Sequence, residues 1–247
     1  MRVTWIGGWG VAPESLRPLA EKYFAQSQHT FLAPTPNALA YTEPLTRPPG
    51  TLSPSDGERD GVRGTPDLTI AWSLGAWRVL EAASRGVEFH GMVLLLAPFV
   101  AFPSESQLGG KCSATQVKFL RRWLQREPLG ALADFYQRAG WDAGRSAGLQ
   151  PALDDPPRKA GHRPALPSEL PYALSDLIEG LDRLAEDASP AMREFAACGL
   201  PRNWQAVVGD NDPLLDAEAV CRSLPGCVRV RGAGHAIADL LRASQAK

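Results

Sequence analysis

The stretch DLTIAWSLGAW, Asp67–Trp77, decides the fold. Leu68–Trp72 is a short apolar run of the kind a buried strand needs, and Leu74–Ser84 reads as a helix. Between them stands one small polar residue, Ser73, flanked by Ala71 and Gly75. A strand that turns at once into a helix bends sharply, and bulk on either side of the bend would clash. The helix start also points backbone N–H groups at the turn. Ser73 is therefore either a nucleophile on a strained elbow or a turn residue in an accidental A-x-S-x-G.

The pattern outward from this point supports a strand-to-helix turn in a larger α/β sheet. Val3–Ile6 is a short, mostly apolar run ending in Gly7-Gly8-Trp9-Gly10, a buried strand with a tight glycine turn. Pro13–Gln26 carries Leu16, Leu19, Ala20, Tyr23 and Phe24 at helical spacing, and Thr30–Leu32 is a short strand closed by Pro34 and Pro36. Residues 43–66 are rich in Pro and Gly and predict a loop. Met92–Leu96 is an uninterrupted apolar run, which suits a strand buried on both faces of a parallel sheet. Strands alternating with helices favour crossover connections.

From Ala97 to Leu200 the alternation stops and no strand pattern is visible. Thr115–Arg126, Leu129–Ala139, Tyr172–Glu186 and Pro190–Ala197 read as helices, with a Pro/Gly-rich stretch, Gly140–Pro171, in their midst. Strands resume at Gln205–Val208 and Val228–Val230, followed by a helix from His235 to Ala243. The expected architecture is an α/β core, residues 1–97 and 201–247, with a helical cap, residues 98–200, inserted between two sheet strands.

Composition excludes several classes. The 247 residues suffice for a sizeable core, and 44% apolar with 21% charged residues is ordinary for a globular chain. A net charge of −1 gives no reason to expect nucleic acid or an acidic membrane surface as partner. No stretch approaches the roughly 20 apolar residues of a membrane helix. The N-terminus enters strand-like sequence without a signal peptide's apolar core, so a cytoplasmic protein is expected. The cysteines, Cys112, Cys198, Cys221 and Cys227, form no C-x-x-C pair; free thiols are expected, although Cys221 and Cys227 are close enough in sequence to pair. No metal or cofactor is expected, and a monomer is.

A nucleophilic serine needs a base. Of the four histidines, His235 follows the last strand in Gly232-Ala233-Gly234-His235-Ala236, where small residues leave a loop open. His29, His90 and His162 fit solvated or packing roles better. The base needs a carboxylate, and Gly209-Asp210-Asn211-Asp212-Pro213 follows the QAVV strand directly, at the sheet edge where open α/β sheets place their sites. Asp212 is the candidate; Asp210 reads as a turn residue, Asp216 as a helix cap and Asp239 as a solvated helix residue. Ser73, Asp212 and His235 stand in the nucleophile–acid–base order of α/β-hydrolases. Backbone N–H groups of Trp9 and Leu74 are the candidate oxyanion hole, each such donor typically worth about 3 kcal/mol in the transition state. The glycine turn lacks the Lys-Ser/Thr of a phosphate loop, and G-x-G-x-x-G is absent.

These pieces resemble the α/β-hydrolase superfamily over Val3–Leu96 and Gln205–Leu241. More narrowly, GGWG, AWSLGAW and LLLAPFVAFP resemble the pimeloyl-acyl-carrier-protein methyl ester esterases of biotin synthesis, whose motifs commonly read H-G-W-G and G-W-S-L-G. KFLRRWLQREPLGALADFYQRAG and LIEGLDRLAEDA resemble that family's helical lid. Gly7 stands in place of the motif His and Ala71 in place of the first elbow Gly. The chain starts at what would be the third strand of the family sheet. The resemblance implies a Ser73 nucleophile, a His235 base, Asp212 as its partner and oxyanion amides from Trp9 and Leu74.

It also gives the cap a role. Lys118, Arg122 and Arg126 recur every four residues and share one helix face, with Arg121 beside them and Arg138 on the next helix. Acyl-carrier protein is acidic and carries a phosphopantetheine, so such a face would steer it; a solvated amphipathic face is the plainer reading. Phe119, Trp123, Phe135 and Tyr136 would line an acyl channel or form the cap core. A generalist carboxylesterase or thioesterase would share the three site residues without needing the basic face. A non-catalytic binding protein on the same fold is the rival of a different class. Haloalkane dehalogenases and epoxide hydrolases place Asp at the elbow and are disfavoured by Ser73.

Overall fold

The structure, a computed structural model, describes residues 1–36, 65–140 and 169–245. Most of the two Pro/Gly-rich stretches, and His162 with the second, lie outside them.

The first strand, β1 (Arg2–Ile6), pairs on one side with β2 (Gln28–Leu32) and on the other with β3 (Leu68–Trp72). Beyond β3 come β4 (Met92–Leu96), then β5 (Ala101–Pro103) and β6 (Gly109–Cys112) of a separate ribbon, then β7 (Trp204–Gly209) and β8 (Cys227–Val230). The main sheet has the order β2-β1-β3-β4-β7-β8, and every pair in it is parallel. The strand order reverses at β1, so the loops leaving β1 and β3 diverge and open a crevice at their carboxyl ends. The register puts Ile6 beside Ala71, Trp72 beside Leu96, Leu96 beside Val207 and Gly209 beside Val230. The segments that leave β1, β3, β7 and β8 therefore emerge along one rim.

Burial follows from position in the sheet. All five residues of β3 are buried, as are the last four of β4, because both faces of a central parallel strand are covered. The edge strands β2 and β8 are only partly buried. Helix α1 (Arg17–Phe24) is shorter than the helix expected over Pro13–Gln26. Pro18 lacks an N–H and fits only a first turn, so residues 13–16 form a separate 3₁₀ turn and a new helix starts at Arg17. Helix α2 (Leu74–Ser84) follows β3 without a loop and packs on it.

The inserted segment is mainly helical: α3 (Ala114–Arg126), α4 (Pro128–Arg138), α5 (Leu174–Leu184) and α6 (Pro190–Ala197). Ser113 and Gln116 form a reciprocal capping box at α3, and Ser189 caps α6. Helix α3 packs on α4 and α5, whereas α6 packs on α2 beside the sheet. The expectation of no strand between Ala97 and Leu200 is corrected. β5 (Ala101–Pro103) and β6 (Gly109–Cys112) form a two-stranded parallel ribbon. Its strands are only three and four residues long, contain Gly-Gly, and carry no alternation for a periodicity reading to detect. Helices α7 (Ala217–Ser223) and α8 (Ile237–Gln245) complete the chain, with Asp216 capping α7 as expected.

One buried cation ties cap to core. Arg78 of α2, 3% exposed, pairs with Glu179 of α5 and lies 3.7 Å from Glu81; its Nε donates to Pro34 O at 3.3 Å. Arg78→Met is expected to cost about 2–3 kcal/mol, the usual worth of hydrogen bonds to a charged group, with Glu81 and Glu179 free to turn to water. Urea unfolding measures this as a lower midpoint at unchanged slope.

Among the described residues no helix is long and apolar enough to cross a membrane, and no three His, Cys, Asp or Glu side chains gather as metal ligands.

Candidate active site

Ser73 has φ 55° and ψ −119°, a strained conformation for a residue with a Cβ. The surrounding structure holds it there. Ser73 N donates to Leu96 O at 2.9 Å, and Ser73 O accepts from Trp77 N at 3.0 Å in the first turn of α2. A Cβ at Gly75 would lie 2.5 Å from Gly7 O and 2.6 Å from Ile6 O, so the second small residue of the motif has to be glycine. Ala71, fully buried between its partners Ile6 and Leu95, has room for its methyl group.

The loops after β7 and β8 bring the other two residues to this turn. Asn211 N donates to Ala233 O at 3.0 Å, and Gly232 N donates to Asp210 Oδ1 at 2.7 Å. Asp210 thus links the two loops. Asp212 is wholly buried; its Oδ1 accepts from the amides of Leu214 and Leu215 at 2.8 and 2.9 Å, and its Oδ2 lies 2.7 Å from His235 Nδ1. Two backbone amides occupy Oδ1, and Oδ2 is left to face the imidazole. With Nδ1 donating to that oxygen, Nε2 is the accepting nitrogen, 3.0 Å from Ser73 Oγ. Trp72 Nε1 donates to His235 O at 3.0 Å, which fixes the imidazole's backbone from the elbow side.

Sequence reasoning missed a second support. Lys111 of β6 donates from Nζ to Asp212 O at 2.6 Å, while Lys111 N donates to Leu214 O at 2.9 Å. The ribbon, invisible in the sequence, braces the acid loop.

The glycine turn lies against the serine. A Cβ at Gly8 would be 3.3 Å from Ser73 Cβ. Among the described residues neither the Trp9 nor the Leu74 N–H has a backbone acceptor. Helix α5 covers this corner: a Cβ at Gly180 would be 2.6 Å from Trp9 Cδ1 and 3.1 Å from Leu74 Cδ2.

The cap residues divide. Lys118, Arg122 and Arg126 are exposed on α3, and among the described residues none of them forms an ion pair. Arg121 is half-buried and pairs with Asp182 of α5 at 2.5 Å, and Arg138 pairs with Asp134 at 2.7 Å. A cavity of about 260 Å³ lies beneath α3 and α4, lined mainly by apolar groups that include Phe119, Trp123, Phe135, Leu181 and Leu214. It is just below the roughly 300–1,000 Å³ of ordinary ligand pockets. Its lining does not include Ser73 or His235. It approaches them through Phe135, edge-on to Trp9 with centroids 4.7 Å apart, and through Leu214, which binds the Asp212 carboxylate. Cys112 also lines it, and burial pushes this thiol's pKa up, so it stays neutral. Tyr136 is not part of the lining; its hydroxyl turns to Gly10 O. His29 packs in the core edge, accepting from Trp5 Nε1 at 3.2 Å, and His90 is exposed.

This is the α/β-hydrolase fold. No family model matches the sequence, and no curated protein is similar to it in sequence. Solved structures do share the fold. An esterase from Exiguobacterium antarcticum is 10% identical with a TM-score of 0.61, over 99% of this chain and 88% of that one. A thermophilic esterase from Thermogutta terrifontis is 13% identical with a TM-score of 0.58, over 100% and 87%. BioG from Haemophilus influenzae is 12% identical with a TM-score of 0.52, over 96% and 89%.

Proposed function

We propose that the protein is a serine hydrolase of carboxylic esters. The observation that carries this is the buried hydrogen-bond chain Ser73–His235–Asp212 on a strained elbow. In the proposed reaction His235 Nε2 takes the proton of Ser73 Oγ as the oxygen attacks the ester carbonyl. The carbonyl oxygen takes up charge between the Trp9 and Leu74 amides. His235 then passes its proton to the leaving alkoxide, which departs as an alcohol. Water, deprotonated by the same imidazole, attacks the acyl-serine and releases the acid. Asp212 stays ionised and stabilises the imidazolium in each half.

For the substrate we propose the methyl ester of a pimeloyl chain carried on acyl-carrier protein. The resemblance of GGWG and AWSLGAW supports it. So do the exposed cations Lys118, Arg122 and Arg126 on the outer cap face, above an apolar cavity that would take the chain. A generalist esterase is the second reading, favoured by Arg121 and Arg138 already being neutralised within the cap.

Arg122→Glu with Arg126→Glu separates the two. The double reversal is expected to lower kcat/KM on the carrier-bound methyl ester by about tenfold or more at low salt, an effect that fades as salt screens it. Turnover of a short neutral aryl ester should not change. Equal rates on the carrier substrate before and after reversal, or no turnover of it at all, would favour the generalist reading.

A further inference from the structure

The cap grips the loop after β1 at three points. Trp9 Nε1 donates to Leu177 O of α5 at 2.8 Å. Gly10 N donates to the Tyr172 hydroxyl, just ahead of α5, at 2.8 Å. Tyr136 of α4 donates its hydroxyl proton to Gly10 O.

Gly10 is where such a grip matters. It has φ +74°, in the left-handed region, and with no Cβ it has no local preference that would hold it there. The loop's own backbone bond, Val11 N to Gly8 O, is long at 3.4 Å. The two phenols bind the two peptide planes on either side of the Gly10 Cα, one by its N–H and the other by its carbonyl. With both held, the loop cannot swivel at Gly10, and the indole anchor holds Trp9 itself.

We propose that Tyr172 and Tyr136 are positioning residues that aim the Trp9 amide at the reacting oxygen. The oxyanion hole is then complete only while the cap is seated on the core. This rests on the ester-hydrolase reading above. An oxyanion donor acts only where it is held within a few tenths of an ångström of its place; the sheet holds the start of the loop through Gly7 N and Leu32 O, and the cap holds Trp9 and Gly10 beyond it. The grip holds across the ordinary assay range, since burial pushes the Tyr136 hydroxyl up to about 12 and raises that of Tyr172 as well.

The test uses the full chain with Tyr172→Phe, Tyr136→Phe and both together, changes that keep the rings and remove only the hydroxyls. Steady-state kinetics are run on a neutral aryl ester, with inhibition by a trifluoromethyl ketone and by its methyl ketone analogue. The ketone that adds Ser73 Oγ forms an oxyanion; the methyl ketone scarcely does. Each single variant is expected to lose about tenfold in kcat, with KM within twofold, and the trifluoromethyl ketone should weaken in parallel while the methyl ketone does not. Unchanged kcat in a folded variant, a rise in KM alone, or a loss that follows the folded fraction by circular dichroism would overturn the proposal. If one variant fails to fold, the other probes Gly10 from the opposite side. Failure of the hydrolase reading looks different: the unsubstituted protein then turns over no ester, and Ser73 takes up no fluorophosphonate.

Discussion

Ser73→Ala is expected to lower kcat/KM on an aryl ester by about 10⁴-fold or more, with little change in thermal stability. Ser73 is small and 8% exposed, and the only side-chain partner of its hydroxyl among the described residues is His235 Nε2. Removing it leaves the elbow's backbone bonds to Leu96 and Trp77 in place. What is lost is the covalent route, and any residual rate comes from the two amides alone. His235→Ala should cost about as much, and the double variant scarcely more, because groups that act as one unit are not additive. Single losses that multiply in the double variant would mean that serine and imidazole act separately.

Asp212→Asn is expected to lower kcat by about 10⁴-fold while the protein stays folded. The amide oxygen of Asn can still accept from the Leu214 and Leu215 amides, which now bind Oδ1 at 2.8 and 2.9 Å. The NH₂ group would then face His235 Nδ1. It can only donate, so the proton moves to Nε2 and the imidazole presents N–H to Ser73 where it needs a lone pair. The readout is kcat together with the imidazole ¹⁵N shifts, which report the tautomer. Normal turnover with the tautomer inverted would break the link between Asp212 and chemistry.

The sheet was legible because a central parallel strand is apolar on both faces. LTIAW and MVLLL announce themselves locally, and β7 does the same through QAVVG. Ser73 was legible because a lone polar residue between such a strand and a helix is rare without a turn of Gly or Pro. Asp212 and His235 could be found by position, since each follows a strand that ends on the same rim. Gly75 was visible as a motif letter, but the carbonyl oxygens of Ile6 and Gly7 that require it were not.

The contacts that tie distant segments together were not legible. Lys111 reads as an exposed lysine in a Gly-rich stretch, and nothing near it in sequence tells of the Asp212 carbonyl. Tyr136 fitted an aromatic cap lining equally well until its hydroxyl was seen on Gly10. Tyr172 looked like the first residue of a helix, yet it lies outside α5 and binds the loop after β1. Periodicity reports which face of an element is apolar. It does not report which backbone group more than a hundred residues away a side-chain hydroxyl or ammonium will meet. The basic stripe of α3 shows the same limit: its spacing gave the shared face, but the Arg121–Asp182 pair that removes one cation depends on how α5 packs.

The most direct measurement is labelling of the native protein with a fluorophosphonate, followed by mass spectrometry of its peptides. The expected result is one adduct per chain, carried by the hydroxyl of residue 73 and suppressed when His235 is replaced by alanine. Failure of the folded protein to react, or an adduct on another side chain with Ser73 untouched, would contradict the claim that the imidazole at 235 makes this alcohol a nucleophile.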